Sequence, residues 1–320
     1  MAEVLGVLGS MALIVVGAGL LTAGAEGFAE HVTGASARLG VSVLALGILL
    51  AGAEPEEAIT AMLASGQGHP ALAAGDAIGA NLVILTLTLG LAALLTSLPV
   101  GRRALEYAVA ASVLGAVAWL LLRNGVLGRL EGLILVLLYA GGVVWVWRRE
   151  KQPPLIGELA ELSEDEPTGG EEATGRALLI VLLGVLGMVV GGALAVRGAE
   201  GLVEVFHVGE SVIGLTVLAL ATSAEMVALV WAARRRGLTE LVVAGTVGAV
   251  AYNSTVSLGL AALVSPLGLG RHNLILDVAA LTAVLPLLLF TSYRTGTLPA
   301  PVGAQLVIAY VAAVGFLLAG

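Results

Sequence analysis

Cysteine is absent from all 320 residues, which rules out disulfides, thiol nucleophiles and cysteine-ligated metals. Charge is scarce too. Asp, Glu, Lys and Arg make up 12% of the chain, about half their share in soluble domains. Aromatic side chains reach only 4%. The four histidines, His31, His69, His207 and His272, include no two at a metal-ligand spacing. There is no His-Glu-x-x-His, no Gly-x-Ser-x-Gly and no nucleotide loop, so an intramembrane enzyme has no motif to stand on and no cofactor is expected.

What the chain has in place of these is apolar length. Hydrophobic residues account for 58% of it, with 44 glycines besides. A single water-soluble core could not bury that much apolar surface, so the chain reads as a polytopic membrane protein surrounded by the lipid bilayer. Small residues suit it, because helices in lipid associate by close backbone approach. Met1 to Leu21 lacks a basic n-region and is read as the first span and not as a leader.

About 20 apolar residues cross a bilayer. Ten such windows can be read, at 4–26, 39–64, 71–97, 104–122, 126–147, 177–200, 211–233, 239–264, 273–291 and 299–319. Between the fifth and sixth lies a connector, residues 148–176, with Pro153-Pro154, Pro167, Gly169-Gly170 and eight of the 23 acids between Glu150 and Glu172. Such a composition builds no core. The expected fold is all-α and integral to the membrane, with ten transmembrane helices as two five-helix repeats, 1–147 and 177–320. An odd number of spans per repeat inverts one against the other. With the N-terminus outside, eleven basic residues fall in inner loops and four (Arg123, Arg129, Arg197, Arg271) fall outside. That asymmetry places both termini outside the cell membrane and the connector in the cytoplasm. Trp119, Trp145, Trp147 and Trp231 lie near predicted span ends as lipid anchors.

Duplication is visible in the residues. Gly24-Ala25-Glu26-Gly27 returns as Gly198-Ala199-Glu200-Gly201, and Glu30 as Glu204. Glu26 and Glu30 share one helix face, as do Glu200 and Glu204, and are expected where a helix meets water. Acids also fall within or beside apolar spans: Glu54, Glu56, Glu57, Asp76 and Glu225. An ionised carboxylate there costs about 2.5–3.5 kcal/mol on insertion scales, so it calls for a function. Pro55 interrupts the second helix beside three of these acids. Freed carbonyls and carboxylates together would line a pocket for a hard cation such as Na⁺ or Ca²⁺. The third span adds Asp76, Gly79 and Asn81 within about a turn and a half. Its counterpart in the second half holds Gly245-Thr246-Val247-Gly248 and Tyr252-Asn253-Ser254-Thr255, ending at Gly259.

These motifs resemble the α-repeats of the calcium/cation antiporter superfamily, which includes the sodium/calcium exchangers. One family helix reads roughly Ile-Gly-Leu-Thr-x-x-Ala-x-Gly-Thr-Ser-x-Pro-Glu. Ile213-Gly214-Leu215-Thr216-Val217-Leu218-Ala219-Leu220-Ala221-Thr222-Ser223 follows it without a gap. The next helix, Gly-Asn-x-x-Gly-Ser-Asn-x-x-Asn, is matched at Gly75, Gly79 and Asn81, with Gly90 after it. The departures are specific. Gly52-Ala53 stands where Thr-Ser would be, although Pro55-Glu56 keeps the Pro-Glu pair. Met226 takes the second glutamate position with Glu225 one residue early. Asp76 replaces an asparagine, Ile84 another and Val250 a third, while Asn253 is retained.

The resemblance implies two inverted halves and a secondary antiporter. Glu56 and Glu225 would be its central charges, and Glu57, Asp76, Asn81, Thr222, Ser223 and Asn253 would complete the cation shell. It also implies that the first and sixth helices slide past the core, with Gly17, Gly24, Gly191 and Gly198 as a smooth flank. Exchange of Ca²⁺ for Na⁺ is the leading expectation. Exchange against protons is the alternative, because a carboxylate with few partners in low dielectric readily takes a proton. A channel or non-transporting scaffold is the third. No obligate protein partner and no nucleic acid are expected.

Overall fold

The computed structural model describes residues 2–39, 54–150, 171–224, 226–227, 230, 239–292 and 296–319. Most of the connector, the start of the second predicted span and most of the second part of the seventh lie outside them, and so does Glu225. Ten helices can be labelled among the described residues. They are α1 (Ala2–Leu39), α2 (Pro55–Gly66), α3 (Pro70–Leu95), α4 (Arg102–Leu122), α5 (Arg129–Glu150), α6 (Glu171–Phe206), α7 (Glu210–Thr222), α8 (239–264), α9 (His272–Ser292) and α10 (Ala300–Ala319).

Seven of these are long and apolar enough to cross a membrane: α1, α3, α4, α6, α8, α9 and α10. Helix α5 forms where the sequence predicts a span but is not one of the seven. The apolar stretches Val4–Gly27 and Leu178–Phe206 sit inside helices of 38 and 36 residues. At 1.5 Å per residue each helix exceeds a hydrocarbon core of about 30 Å. Their outward faces are strings of exposed Val and Leu (Leu5, Leu8, Val15 and Leu179, Leu182, Leu186), as lipid contact requires.

The two halves dock by like against like. Helices α1 and α6 cross at Gly17 against Gly191 and at Gly24 against Gly184, with Ser10 against Gly198. Rising numbers on one meet falling numbers on the other, so the pair is antiparallel. Helices α4 and α9 pair the same way, Ser112 facing Leu287 and Gly115 facing Ala283. The remaining contacts come in exchanged couples. Gly90 of α3 packs on Gly303 of α10, and Gly259 of α8 packs on Gly132 of α5. Two short antiparallel strand pairs close the linkers, Leu98 with Leu298 and Leu127 with Leu267.

One expectation changes here. The glycines of α1 and α6 do not form a smooth flank toward the core. A Cβ on Gly17 would lie 2.6 Å from the Gly191 carbonyl, and one on Gly191 would lie 2.7 Å from the Gly17 carbonyl. Backbone touches backbone, so these glycines fasten α1 to α6.

The core of the molecule is α2, α3, α7 and α8. Helix α3 is buried along most of its length, and its glycines admit α7: Gly75 meets Ser211 and Gly214, and Gly79 meets Leu215 and Ala219. Helices α3, α7 and α8 each widen by one π turn, at Val83–Thr88, Gly214–Leu218 and Asn253–Ser257. Thr86, Thr216 and Thr255 lie in these turns, and each hydroxyl donates to the carbonyl four residues back. π turns of this kind occur often at functional sites.

A buried cluster of carboxylates and its hydrogen-bond donors

Helix α2 starts in the interior because Pro55 occupies its first turn, where a missing N–H costs nothing. Glu54 caps it, with Glu56 and Glu57 in the same turn, where a helix N-terminus favours anions. Helix α7 stops in the same region, at Thr222, with Ser223 as its C-cap. Two interrupted helices therefore bring their ends to α3 and α8.

Glu54, Glu56, Glu57 and Asp76 are all buried, at 4%, 1%, 0% and 0% exposure. Among the described residues no Lys, Arg or His is buried with them.

Three of these carboxylates follow one rule. Glu54 Oε2 accepts from Asn253 Nδ2 at 2.9 Å, Glu57 Oε1 from Ser223 Oγ at 2.9 Å, and Asp76 Oδ1 from Thr222 Oγ1 at 3.2 Å. In each case one oxygen is bonded by a donor from the second half, while the other (Glu54 Oε1, Glu57 Oε2, Asp76 Oδ2) is buried without a hydrogen-bond partner. Asn81 repeats the pattern. Its Nδ2 donates to Ser254 Oγ at 2.9 Å and its Oδ1 is left bare. Ser257 Oγ in turn donates to Asn253 Oδ1 at 2.9 Å and fixes that amide. Glu57 lies within electrostatic reach of Asp76 and Glu54.

A bare buried carboxylate oxygen is costly unless something supplies positive charge. Four bare acceptor oxygens in one interior call for a cation or for protons. No three acid or histidine side chains among the described residues converge tightly enough to hold a metal ion alone, so a shell here would mix carboxylates with amide and hydroxyl oxygens. That mixture suits a hard cation, which takes oxygen ligands only.

Against the set read from sequence, the structure brings Glu57, Asp76, Asn81, Thr222, Ser223 and Asn253 into this network. Glu56 is buried beside them, and Tyr252, packed edge-on against Tyr139 at 5.5 Å, lies within electrostatic reach of Glu54, Glu56 and Glu57. Glu225 lies outside the described residues. Glu54 belongs to the network although it was not in the expected shell, and Ser254 and Ser257 were also missed. The signal for Glu54 is its cost, an acid beside an apolar span and next to the helix break at Pro55.

Residues 3–148 and 176–319 match the family described as sodium/calcium exchanger protein. The inner membrane protein YrbG of Escherichia coli (strain K12) is 31% identical over 239 residues, 71% of this chain and 69% of that protein. A putative antiporter, CaxA of Alkalimonas amylolytica, is 27% identical over 305 residues, 89% of this chain and 90% of its own length. Among solved structures, the sodium-calcium exchanger NCX_Mj soaked with Na⁺ and Sr²⁺ superposes with a TM-score of 0.61 at 20% identity, covering 97% of this chain and 98% of that one. That likeness shows a shared fold.

Proposed function

The chain belongs to the sodium/calcium exchanger family, and from that premise we propose that it exchanges Ca²⁺ for Na⁺ across the membrane by alternating access. The observation that carries this reading is the rule above: buried carboxylates of the first half, each oriented by a donor from the second, each with one oxygen bare. Cargo binds where the halves meet. Filling the cluster with cations neutralises it and permits the switch between faces, whereas the empty cluster is too charged to pass through the closed state. Obligatory exchange follows.

The architecture supports this reading. In this reading ten helices form two inverted five-helix repeats, 1–147 and 177–320, and the antiparallel pairing of α1 with α6 and of α4 with α9 supports it. Both termini would lie outside and the connector 148–176 in the cytoplasm. The cation shell would be Glu54, Glu56, Glu57, Asp76, Asn81, Thr222, Ser223 and Asn253, with Glu225 added from the second repeat.

Proton coupling is the second reading, and one observation favours it. Among the described residues the acids of the cluster come from the first half, and Met226, buried at 4% exposure, stands at the second-half position that the α-repeat gives to a glutamate. A shell so rich in acid on one side can be neutralised by protons as readily as by Na⁺.

Uptake of ⁴⁵Ca²⁺ into proteoliposomes separates the two. Uptake driven by a Na⁺ gradient and lost in Glu57→Gln supports the first reading. Uptake driven only by a pH gradient supports the second. Absence of uptake under both gradients would remove Ca²⁺ as cargo.

A further inference from the structure

Away from the carboxylate cluster, where α2 turns into α3, His69 is gripped on both sides. Its Nε2 lies 2.6 Å from Glu200 Oε1 on α6, and its Nδ1 lies 2.9 Å from Glu210 Oε1 at the start of α7. The three side chains are 28%, 30% and 31% exposed, so water and protons reach them. The backbone is fixed at this point. His69 N–H donates to the Ala64 carbonyl at 2.9 Å, and its own carbonyl accepts from Ala73 N–H at 3.0 Å.

A neutral imidazole has one N–H; only the charged ring has two. With a carboxylate at each nitrogen, the two-sided grip exists only when His69 is charged. Once neutral, the ring turns a lone pair toward one carboxylate, and that arm is lost. Histidine changes charge between about pH 5 and 8.

The grip joins two bodies. Glu200 belongs to α6, which is fastened to α1 by backbone contacts at Gly17, Gly191 and Gly198. His69 caps α3, which carries Asp76, and Glu210 begins α7, which ends at Thr222. Neighbouring charges come from each element here: Arg197 and Glu204 along α6, His207 just after it, and Arg271 and His272 where α9 begins, Arg271 lying against Gly209. Helix α1 presents the neutral Ser10 and Gly6 on this side. The acids of α2 and α3 lie about two or more turns away, in the cluster.

We propose that His69 is a proton-operated latch. Charged, it ties the α1–α6 pair to α3 and α7 together; neutral, it holds only one of the two acids, and the tie between α6 and α7 through the ring is broken. The latch itself needs only the geometry of His69, Glu200 and Glu210. Its consequence for transport, slower exchange on the acid side, rests on the function proposed above.

The absence of cysteine makes the test direct. Spin labels at Glu204→Cys on α6 and at the exposed Leu130→Cys on α5 report the separation of the two bodies in the full chain in liposomes. A narrow distance distribution at about pH 5.5 that broadens at about pH 8 is expected. With His69→Gln, which never carries the charge that holds two carboxylates, the distribution should be broad at both pH values, and with Glu200→Gln the same. His69→Arg should keep it narrow at both. Exchange should rise roughly threefold or more over this range in the wild type, beyond any rise that persists in His69→Gln.

A wild-type distribution that does not change with pH, or a change that survives in His69→Gln and Glu200→Gln, overturns the latch. Labels that respond in a protein that moves no cation leave the latch standing and remove the exchange reading. Active exchange with unresponsive labels does the reverse.

Discussion

The two halves of this molecule share a scaffold and divide the chemistry. Gly90 and Gly259, like Leu98 and Leu267, correspond at an offset of 169 residues. At that offset Glu56 faces Glu225 in sequence, but Glu57 faces Met226, Asp76 faces Gly245, and Glu54 faces Ser223. Among the described residues the first half supplies the buried acids, and the second supplies hydroxyls and an amide that donate to three of them. Duplication explains the shape, which depends on small residues at crossings. It does not require both copies to keep the same ligands, because a site shared between them needs only one complete set. A donor opposite Glu54, Glu57 and Asp76 also does something a second acid could not: it fixes which oxygen of each carboxylate is left bare.

The comparison breaks most severely if the acids are removed. Glu57→Gln or Asp76→Asn each deletes a charge and should lower exchange by roughly 100-fold or more, since breaking a buried charged set costs about 3–5 kcal/mol. The check is gradient-driven ⁴⁵Ca²⁺ flux normalised to folded protein. Activity within a few-fold of wild type would place cargo elsewhere.

Restoring symmetry is the next largest change. Met226→Glu inserts a carboxylate at the second-half position that the α-repeat gives to a glutamate. Without cation the variant should lose several kcal/mol of stability, and Ca²⁺ should recover more of that loss than it adds to the wild type. Thermal unfolding in detergent, with and without Ca²⁺, measures both. If Ca²⁺ stabilises the variant no more than the wild type, residue 226 does not face the cluster.

Removing donors from the second half sharpens the division of labour. Thr222→Val, Ser223→Ala and Asn253→Ala each leave a carboxylate without its partner, at about 1–3 kcal/mol apiece. Apparent Ca²⁺ affinity should fall about tenfold while maximal flux changes less. An equal fall in flux with affinity intact would make these residues part of the moving machinery instead of the shell.

Much of this was legible in the sequence, for a physical reason. Carboxylates in apolar spans are expensive, so Glu57 and Asp76 announced themselves, and Pro55 showed where a helix had to break. The α-repeat resemblance added Thr222, Ser223 and Asn253. Glu54 is among the acids expected to line a cation pocket, but it falls at an unspecified position of the α-repeat, so the resemblance does not add it to the shell. Ser254 and Ser257 carry no desolvation signal, since a serine in a membrane helix can bond its own backbone. The facing of the α1 and α6 glycines also stayed hidden. Periodicity gives the stripe, whereas the partner that fills it is a tertiary fact.

That glycine stripe gives a smaller, graded test. Gly17→Ala would push a Cβ to 2.6 Å from the Gly191 carbonyl, whereas at Gly187 the nearest atom, the Leu20 carbonyl, is 3.5 Å away. The first should cost about 1–3 kcal/mol of overpacking strain, and the second close to nothing. Melting temperatures of both in one detergent decide the matter. Equal shifts would mean that α1 and α6 separate easily.

The smallest expected effect probes another place where the halves diverge. Helix α9 carries Pro286 in its interior and α4 has no proline, yet the two are equivalent partners in one antiparallel pair. A proline inside a helix disturbs the backbone bonds of the turn around it. Here α4 answers with a side chain: Leu287 N–H donates to Ser112 Oγ at 3.2 Å across the interface. Ser112→Ala should therefore cost about 1 kcal/mol, the net worth of one such bond. The same substitution in a Pro286→Ala background should cost less, because the hydroxyl then no longer supports a turn that the proline disturbs. A double-mutant cycle on thermal stability reads that difference. Simple additivity of the two substitutions would show that Ser112 packs against α9 without compensating for the proline.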